Sequence, residues 1–257
     1  MMKFTLQARC GKFLRKGCDV AISAELRRQR PAGGVYEALK EQILDNRIPP
    51  GTKVNIDGVA RELGVSPTPV REALQRLQGD NLVVATSGRG YSTTALLDAG
   101  GLRDLFEFRL LVEPWAARTA AVDRLDNPAH RLDVELADFR ERSRSGGDIR
   151  QDLVTHDTSF HEQILGASGN GVIRNAFGQT HCHLHLFRLY PADVDGTLTI
   201  EEHGHVWEAI RDCDPARAED AMYRHLTAAY RRFAEAFDGG SAAGLGARRA
   251  PRMADTG

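Results

Sequence analysis

Val59-Ala60-Arg61-Glu62-Leu63-Gly64-Val65-Ser66-Pro67-Thr68-Pro69-Val70-Arg71-Glu72-Ala73-Leu74 is the stretch on which the fold turns. Ile56, Val59, Ala60 and Leu63 share one side of a short helix with Asp57 in its first turn, and Gly64 supplies the left-handed residue that ends it. Ser66 then has N-cap chemistry, Pro67 suits a first helical position, and Val70, Ala73, Leu74 and Leu77 form the inward stripe of the next helix. Two short helices joined by Gly64-Val65-Ser66 make a helix-turn-helix.

Working outward, Val35, Leu39, Ile43 and Leu44 predict a preceding helix that Ile48-Pro49-Pro50-Gly51 stops. On the other side, Leu82-Val83-Val84 and Tyr91-Ser92-Thr93-Thr94 flank Ser87-Gly88-Arg89-Gly90, the pattern of a small β-hairpin with a glycine tip. The outward positions Thr68, Arg71, Gln75 and Arg76 suit a DNA major groove, where arginine pairs with guanine and hydroxyls reach phosphate, and Arg89 at the hairpin tip suits a minor groove.

These segments closely resemble the winged helix of the GntR family: Pro50-Gly51, Val59 to Ser66, Pro69 to Leu74, and Arg76-Leu77 carry the likeness. The resemblance implies that Arg71 contacts base edges or phosphates, that Ser66 and Thr68 anchor the DNA backbone, and that the wing of Gly88, Arg89 and Gly90 approaches the minor groove. Many relatives have arginine where this chain has Pro67 and Asp57, so two cationic contacts are missing. Residues 31–95 carry seven basic and seven acidic side chains, which predicts modest sequence-independent DNA affinity.

The chain of 257 residues is long enough for two domains. Its 42% hydrophobic and 27% charged residues are ordinary for a globular protein, and no apolar run of about 18 residues offers a membrane span. Residues 1–30 hold eight Lys or Arg against Asp19 and Glu25, a surplus of six positive charges, and read as a flexible basic arm. That segment lacks the apolar core of an export signal. Residues 31–95 form the expected winged domain, 100–237 a second domain, and 238–257, rich in Gly, Ala and Arg, a disordered tail. Cys10, Cys18, Cys182 and Cys213 form no CxxC pair and read as free thiols of a cytoplasmic protein.

In the second domain apolar residues recur at helical spacing in six segments: Leu102–Arg124, Pro128–Arg142, Ile149–Ser168, Gly171–Tyr190, Ile200–Asp212 and Pro215–Phe237. They predict an all-α bundle of six or seven helices. Asp157 and His161 stand four apart on one helix face, the spacing of two ligands to one metal, and His203 and His225 lie on later helices that a bundle can bring together. Spacing leaves open whether these are ligands or hydrogen-bonded core and surface groups; as ligands they suit Zn, Ni, Mn or Fe alike.

Asp157 to His161, Ala167-Ser168-Gly169-Asn170, Glu202-His203, Asp214-Pro215 and His225-Leu226 together resemble the FadR C-terminal domain found in GntR regulators. In its metal-binding branch the resemblance implies four ligands, Asp157, His161, His203 and His225, with His205 out of step for the third. It also implies that Arg109 contacts the carboxylate of a small effector, the other reading being a buried ion pair with Glu113. Asn170 either touches the effector or caps its helix. His181, His183 and His185 read as surface or pocket-lining groups rather than a second site, because on one helix His183 points away from the other two.

The expectation is a non-enzymatic repressor: a homodimer on pseudo-palindromic operator DNA whose affinity follows a small carboxylate held at or near a divalent metal. The alternative is a metal-dependent hydrolase or oxygenase tethered to DNA, for which the sequence offers no separate general base.

Overall fold

The computed structural model describes residues 34–122, 124, 126–145, 149–189, 196–235 and 237; the arm expected over 1–30 and the tail expected over 238–257 lie outside them. Helices α1 (Gly34–Leu44), α2 (Ile56–Leu63) and α3 (Pro67–Gly79) precede an antiparallel hairpin of β1 (Val83–Thr86) and β2 (Gly90–Thr93). Asn55 caps α2 by accepting from the Gly58 N–H, and Gly64 closes it at φ 68° as its position in the sequence predicts. Ser66 begins α3 but makes no capping bond, contrary to the expectation from its residue type. The reason is local: Pro69 stands at the third helical position and has no N–H for the serine to cap.

The hairpin pairs Val83 with Thr93 and Thr86 with Gly90, and Lys53 bridges to Ser92 beside it. Leu39, Ile43, Val70, Leu74, Leu77 and Leu82 are fully buried between α1, α3 and the wing.

The second body holds α4 (Ala99–Val122), α5 (Ala129–Ser145), α6 (Ile149–Ala167), α7 (Gly171–Thr180), α8 (Cys182–Leu189), α9 (Thr197–Arg211) and α10 (Pro215–Ala234). The segment expected as one helix from Gly171 to Tyr190 is two, broken at His181, whose φ of 46° is left-handed. α10 packs along α4 and against α9, while α6 lies on α4 and α5. Phe106, Leu132, Leu136, Phe160, Val206, Ile210, Met222 and Leu226 are fully buried at their junction. Each such burial contributes about 1.5–3 kcal/mol against about 0–1 for an exposed ion pair, so packing rather than surface charge holds the bundle.

Gly196 opens α9 at φ 68°, where a Cβ would come within 2.9 Å of Phe139 and 3.0 Å of Leu153. Its missing side chain lets α9 start hard against α5 and α6, which sets His203 beside α6. No helix among the described residues is long and apolar enough to cross a membrane.

The two bodies meet chiefly through α8, with further contacts from α6 and α7. Leu184 packs on the winged-helix core, and the buried Arg188 donates to the Oγ1 and carbonyl oxygen of Thr94, both at 2.7 Å. Asn46 donates to the Arg188 carbonyl at 3.2 Å, and Asn81 to that of Gln179 at 3.2 Å.

Candidate functional site

In the winged helix, Ser66, Thr68, Arg71, Gln75, Arg76, Arg89 and Gly90 are all exposed. Thr68, Arg71 and Gln75 follow one another at three and four residues and share one face of α3. Arg76 stands five residues beyond Arg71, about 140° around the helix. It stacks instead on the Tyr36 ring, 3.9 Å from guanidinium to centroid, while the Tyr36 hydroxyl donates to Asp80 at 2.5 Å. Burial and then Asp80 push the Tyr36 hydroxyl pKa upward, so it stays a donor. Arg89 sits at the tip of the hairpin, between Gly88 at φ 70° and Gly90 at φ 84°.

In the bundle, Asp157 and His161 of α6, His203 of α9 and His225 of α10 converge until one ligand atom from each lies within 4.8 Å of the others. Asp157 Oδ1 is 3.8 Å from His161 Nε2 and 3.5 Å from His203 Nε2. All three imidazoles are buried. His205 is exposed on the outer side of α9, apart from the cluster.

The outward nitrogens explain the arrangement. His161 Nδ1 bonds Glu113, whose other oxygen accepts from Arg109 Nε at 2.5 Å. His225 Nδ1 bonds Glu202 at 2.8 Å, and Arg232 clamps that carboxylate with two bonds of 2.6 and 2.8 Å. His203 Nδ1 bonds the buried His156 Nε2 at 3.0 Å, and His156 Nδ1 bonds Glu135 at 3.2 Å. Ser159 donates to the other Glu135 oxygen at 2.6 Å. Asp157 Oδ2 accepts from His183 Nδ1 at 2.5 Å, leaving Oδ1 turned to the imidazoles.

Carboxylates accept, so each chain of bonds draws the imidazole proton to the outer nitrogen and leaves the inner Nε2 a lone pair. His203 Nε2 is buried and has no hydrogen-bond partner. Three imidazole lone pairs and one carboxylate oxygen facing one point are the donor set of a divalent metal site, and the carboxylates behind them fix ring orientation as the outer groups of such sites do.

Charge follows the same plan. Burial, against the pull of Glu113, lowers the His161 pKa to about 4, and burial with the neighbouring imidazoles drives that of His203 well below its usual value. Asp157 is held well below the carboxylate range because His183, His161 and His203 outweigh its burial. Burial opposes ionisation of His183, but Cys182 and Asp157 outweigh it and raise its pKa to about 10.

Arg109 is buried, paired with Glu113, and its Nη2 is 3.5 Å from His161 Nε2. It therefore borders the inner face of the cluster as well as forming the ion pair. Asn170 caps α7, its oxygen accepting from the Val172 and Ile173 N–H groups. His156 and His183 were missed as partners of the cluster, and the left-handed break at His181 is what turns His183 toward Asp157. A glutamate directly before His203 was the one visible signal of an outer carboxylate; nothing in the residue pattern marks Glu135.

Residues 31–92 match the family described as bacterial regulatory proteins of the gntR family, and residues 104–228 match the FCD domain. The chain is 32% identical over 136 residues to an Agrobacterium vitis protein named as an HTH-type transcriptional regulator in the TAR-I ttuE-ttuC' intergenic region, covering 52% of this chain and 78% of that one. It is 27% identical over 215 residues, 81% of this chain and 91% of the other, to a Paenarthrobacter nicotinovorans protein named a probable D-xylose utilization operon transcriptional repressor. A crystal structure titled as a GntR transcriptional regulator from Rhodococcus sp. RHA1 shares the fold at TM-score 0.63 and 20% identity, covering 83% of this chain and 99% of that chain.

Proposed function

The chain belongs to the GntR family of transcriptional regulators, with an FCD domain behind its winged helix, and on that premise we propose that it is a repressor whose grip on operator DNA follows a small carboxylate bound at a metal in the bundle. The observation that carries this reading is the convergence of Asp157, His161, His203 and His225, each tied from behind by an acidic or imidazole partner.

Those four residues would hold the ion. A divalent metal supplies a charge to which a carboxylate binds directly. Arg109, already at the edge of His161, supplies a second positive group for the same carboxylate, while Glu113 keeps the guanidinium aimed. The buried His161 and His203 stay neutral near pH 7, which leaves them ready to ligate.

DNA binding falls to Thr68, Arg71 and Gln75 in a major groove, with Ser66 on the backbone and Arg89 and Gly90 at a minor groove. The free Ser66 hydroxyl supports the backbone role. Arg76, stacked on Tyr36, sits to the side of that face and acts as a flanking phosphate contact. The protein works as a homodimer on a pseudo-palindromic operator in the cytoplasm; the free Cys182 and Cys213 thiols fit that compartment.

The route between the two ends is α8, which holds Asp157 through His183 and the winged helix through Leu184 and Arg188. An effector that favours the DNA-incompetent arrangement by about 3 kcal/mol weakens operator binding more than a hundredfold. The test is fluorescence anisotropy on the DNA flanking the protein's own gene, with metal-loaded protein and a panel of small carboxylates. A carboxylate that shifts the affinity of the wild type but not of His161→Ala is the expected result. Affinity indifferent to every carboxylate sinks the switch.

A further inference from the structure

A cleft of about 760 Å³ lies where the winged helix meets α6, α7 and α8, outside the ring of metal-facing atoms. Lys40 and Asp80 line it from the winged helix, and Gln163, Arg174 and His183 from the bundle. Three buried side-chain atoms of lining residues have no hydrogen-bond partner: Gln163 Oε1, His181 Nε2 and His183 Nε2. His183 is only 5% exposed, with its other nitrogen already committed to Asp157. Buried polar atoms are rarely left unmatched without a ligand or water to receive them.

The orientation of Gln163 is fixed. Its Nε2 donates to Ser159 Oγ at 3.1 Å, and Ser159 passes its own hydrogen to Glu135 at 2.6 Å. Oε1 is therefore the amide end left over, an acceptor that needs a hydroxyl or amine donor. Besides His183, which is paired with Asp157, the same cleft carries Lys40, Arg131 and Arg174, none of them ion-paired among the described residues. Against them stand Glu162 and Asp80, and Asp80 already receives the Tyr36 hydroxyl.

We propose that this junction cleft is a second effector site that takes a small hydroxy-carboxylate, its carboxylate on the Lys40, Arg131 and Arg174 cations and its hydroxyl on Gln163 Oε1. Because the walls come from both bodies, the occupant pins the winged helix to the bundle. The site is independent of the metal reading, and its test is run without metal and without DNA so that either one fails visibly alone.

The experiment is titration calorimetry of the full chain, stripped of metal by chelator, with L-malate and with succinate, which differ by one hydroxyl. Malate binds about tenfold tighter than succinate, and Gln163→Leu erases the difference. Lys40→Ala and Arg174→Ala, at positions open to solvent, weaken both ligands by about tenfold alike, since charge on charge ignores the hydroxyl. Equal affinity for the two acids, malate binding confined to metal-loaded protein, or Lys40→Ala and Arg174→Ala both indistinguishable from wild type overturns the proposal. If Gln163→Leu fails to fold, the two surface variants and the malate-to-succinate ratio of the wild type decide alone.

Discussion

The winged helix and the bundle arrange their functional polar groups in opposite ways. On α3 and the wing, Ser66, Thr68, Arg71, Gln75 and Arg89, the groups proposed to meet DNA, stand exposed. In the bundle, His161 and His203 are fully buried and every outer nitrogen is spoken for by Glu113, His156 and Glu135, with Glu202 doing the same for His225. A surface that meets DNA needs freedom at its tips. A site that holds one ion needs its donors fixed before the ion arrives.

The contrast is broken most severely by Glu113→Ala. It strands Arg109, 1% exposed, as an uncompensated buried charge and frees the His161 ring, and the expected loss is about 3–5 kcal/mol of folding stability. Urea unfolding at constant m-value measures it. A loss near that of an exposed pair, such as Arg118 with Glu219, would show that the buried network holds nothing together.

Acid should separate the two regions next. His161, lowered to about 4, and His203, lowered further, are neutral when folded, whereas unfolded histidine takes up a proton near pH 6.5. The unfolded chain then binds more protons, so stability falls as pH drops through 6.5 toward 4, by about 1.4 kcal/mol per pH unit for each full proton of difference. Melting of the metal-free protein across that range shows the fall; a flat profile contradicts it.

His156→Ala and Glu135→Gln probe the longest relay. Each is expected to weaken metal binding by about 10–100-fold while the chain stays folded, the usual effect of losing a group that orients a ligand. Competition with a chelator of known affinity reads it, and unchanged affinity means His203 needs no support.

The winged helix yields the smaller, cleaner effects. Arg71→Ala should cost about 1–3 kcal/mol of operator binding with stability untouched. Arg76→Ala should do the reverse on a smaller scale, removing about 0.5–1 kcal/mol of stability through the lost stack on Tyr36 and little specificity. Anisotropy and melting on both variants exchange the two roles if the helix face is wrongly read.

The same contrast governs what the sequence reveals. Helix faces, the Gly64 cap and the hairpin are written in local spacing and residue type, so they are legible, whereas spacing alone offers only the Asp157 and His161 pair, and the resemblance to the FadR C-terminal domain adds His203 and His225. The supports are not, because they depend on who meets whom across helices: His156 looks like any residue beside Asp157 until α9 brings His203 to it. His183 is hidden by a helix break that residue preference does not announce at His181. The stack of Arg76 is hidden for the same reason, because its partner, Tyr36, is forty residues away on another helix. Arg109 satisfies both readings at once, ion pair and site wall.

The most direct measurement is metal content by mass spectrometry together with thermal melting of purified wild type and His161→Ala, with and without small carboxylates. About one ion per chain in the wild type, lost in the variant along with any carboxylate-induced rise in melting temperature, is the predicted result. A wild type that binds no divalent ion yet responds to carboxylate as the variant does would contradict a metal-anchored sensor.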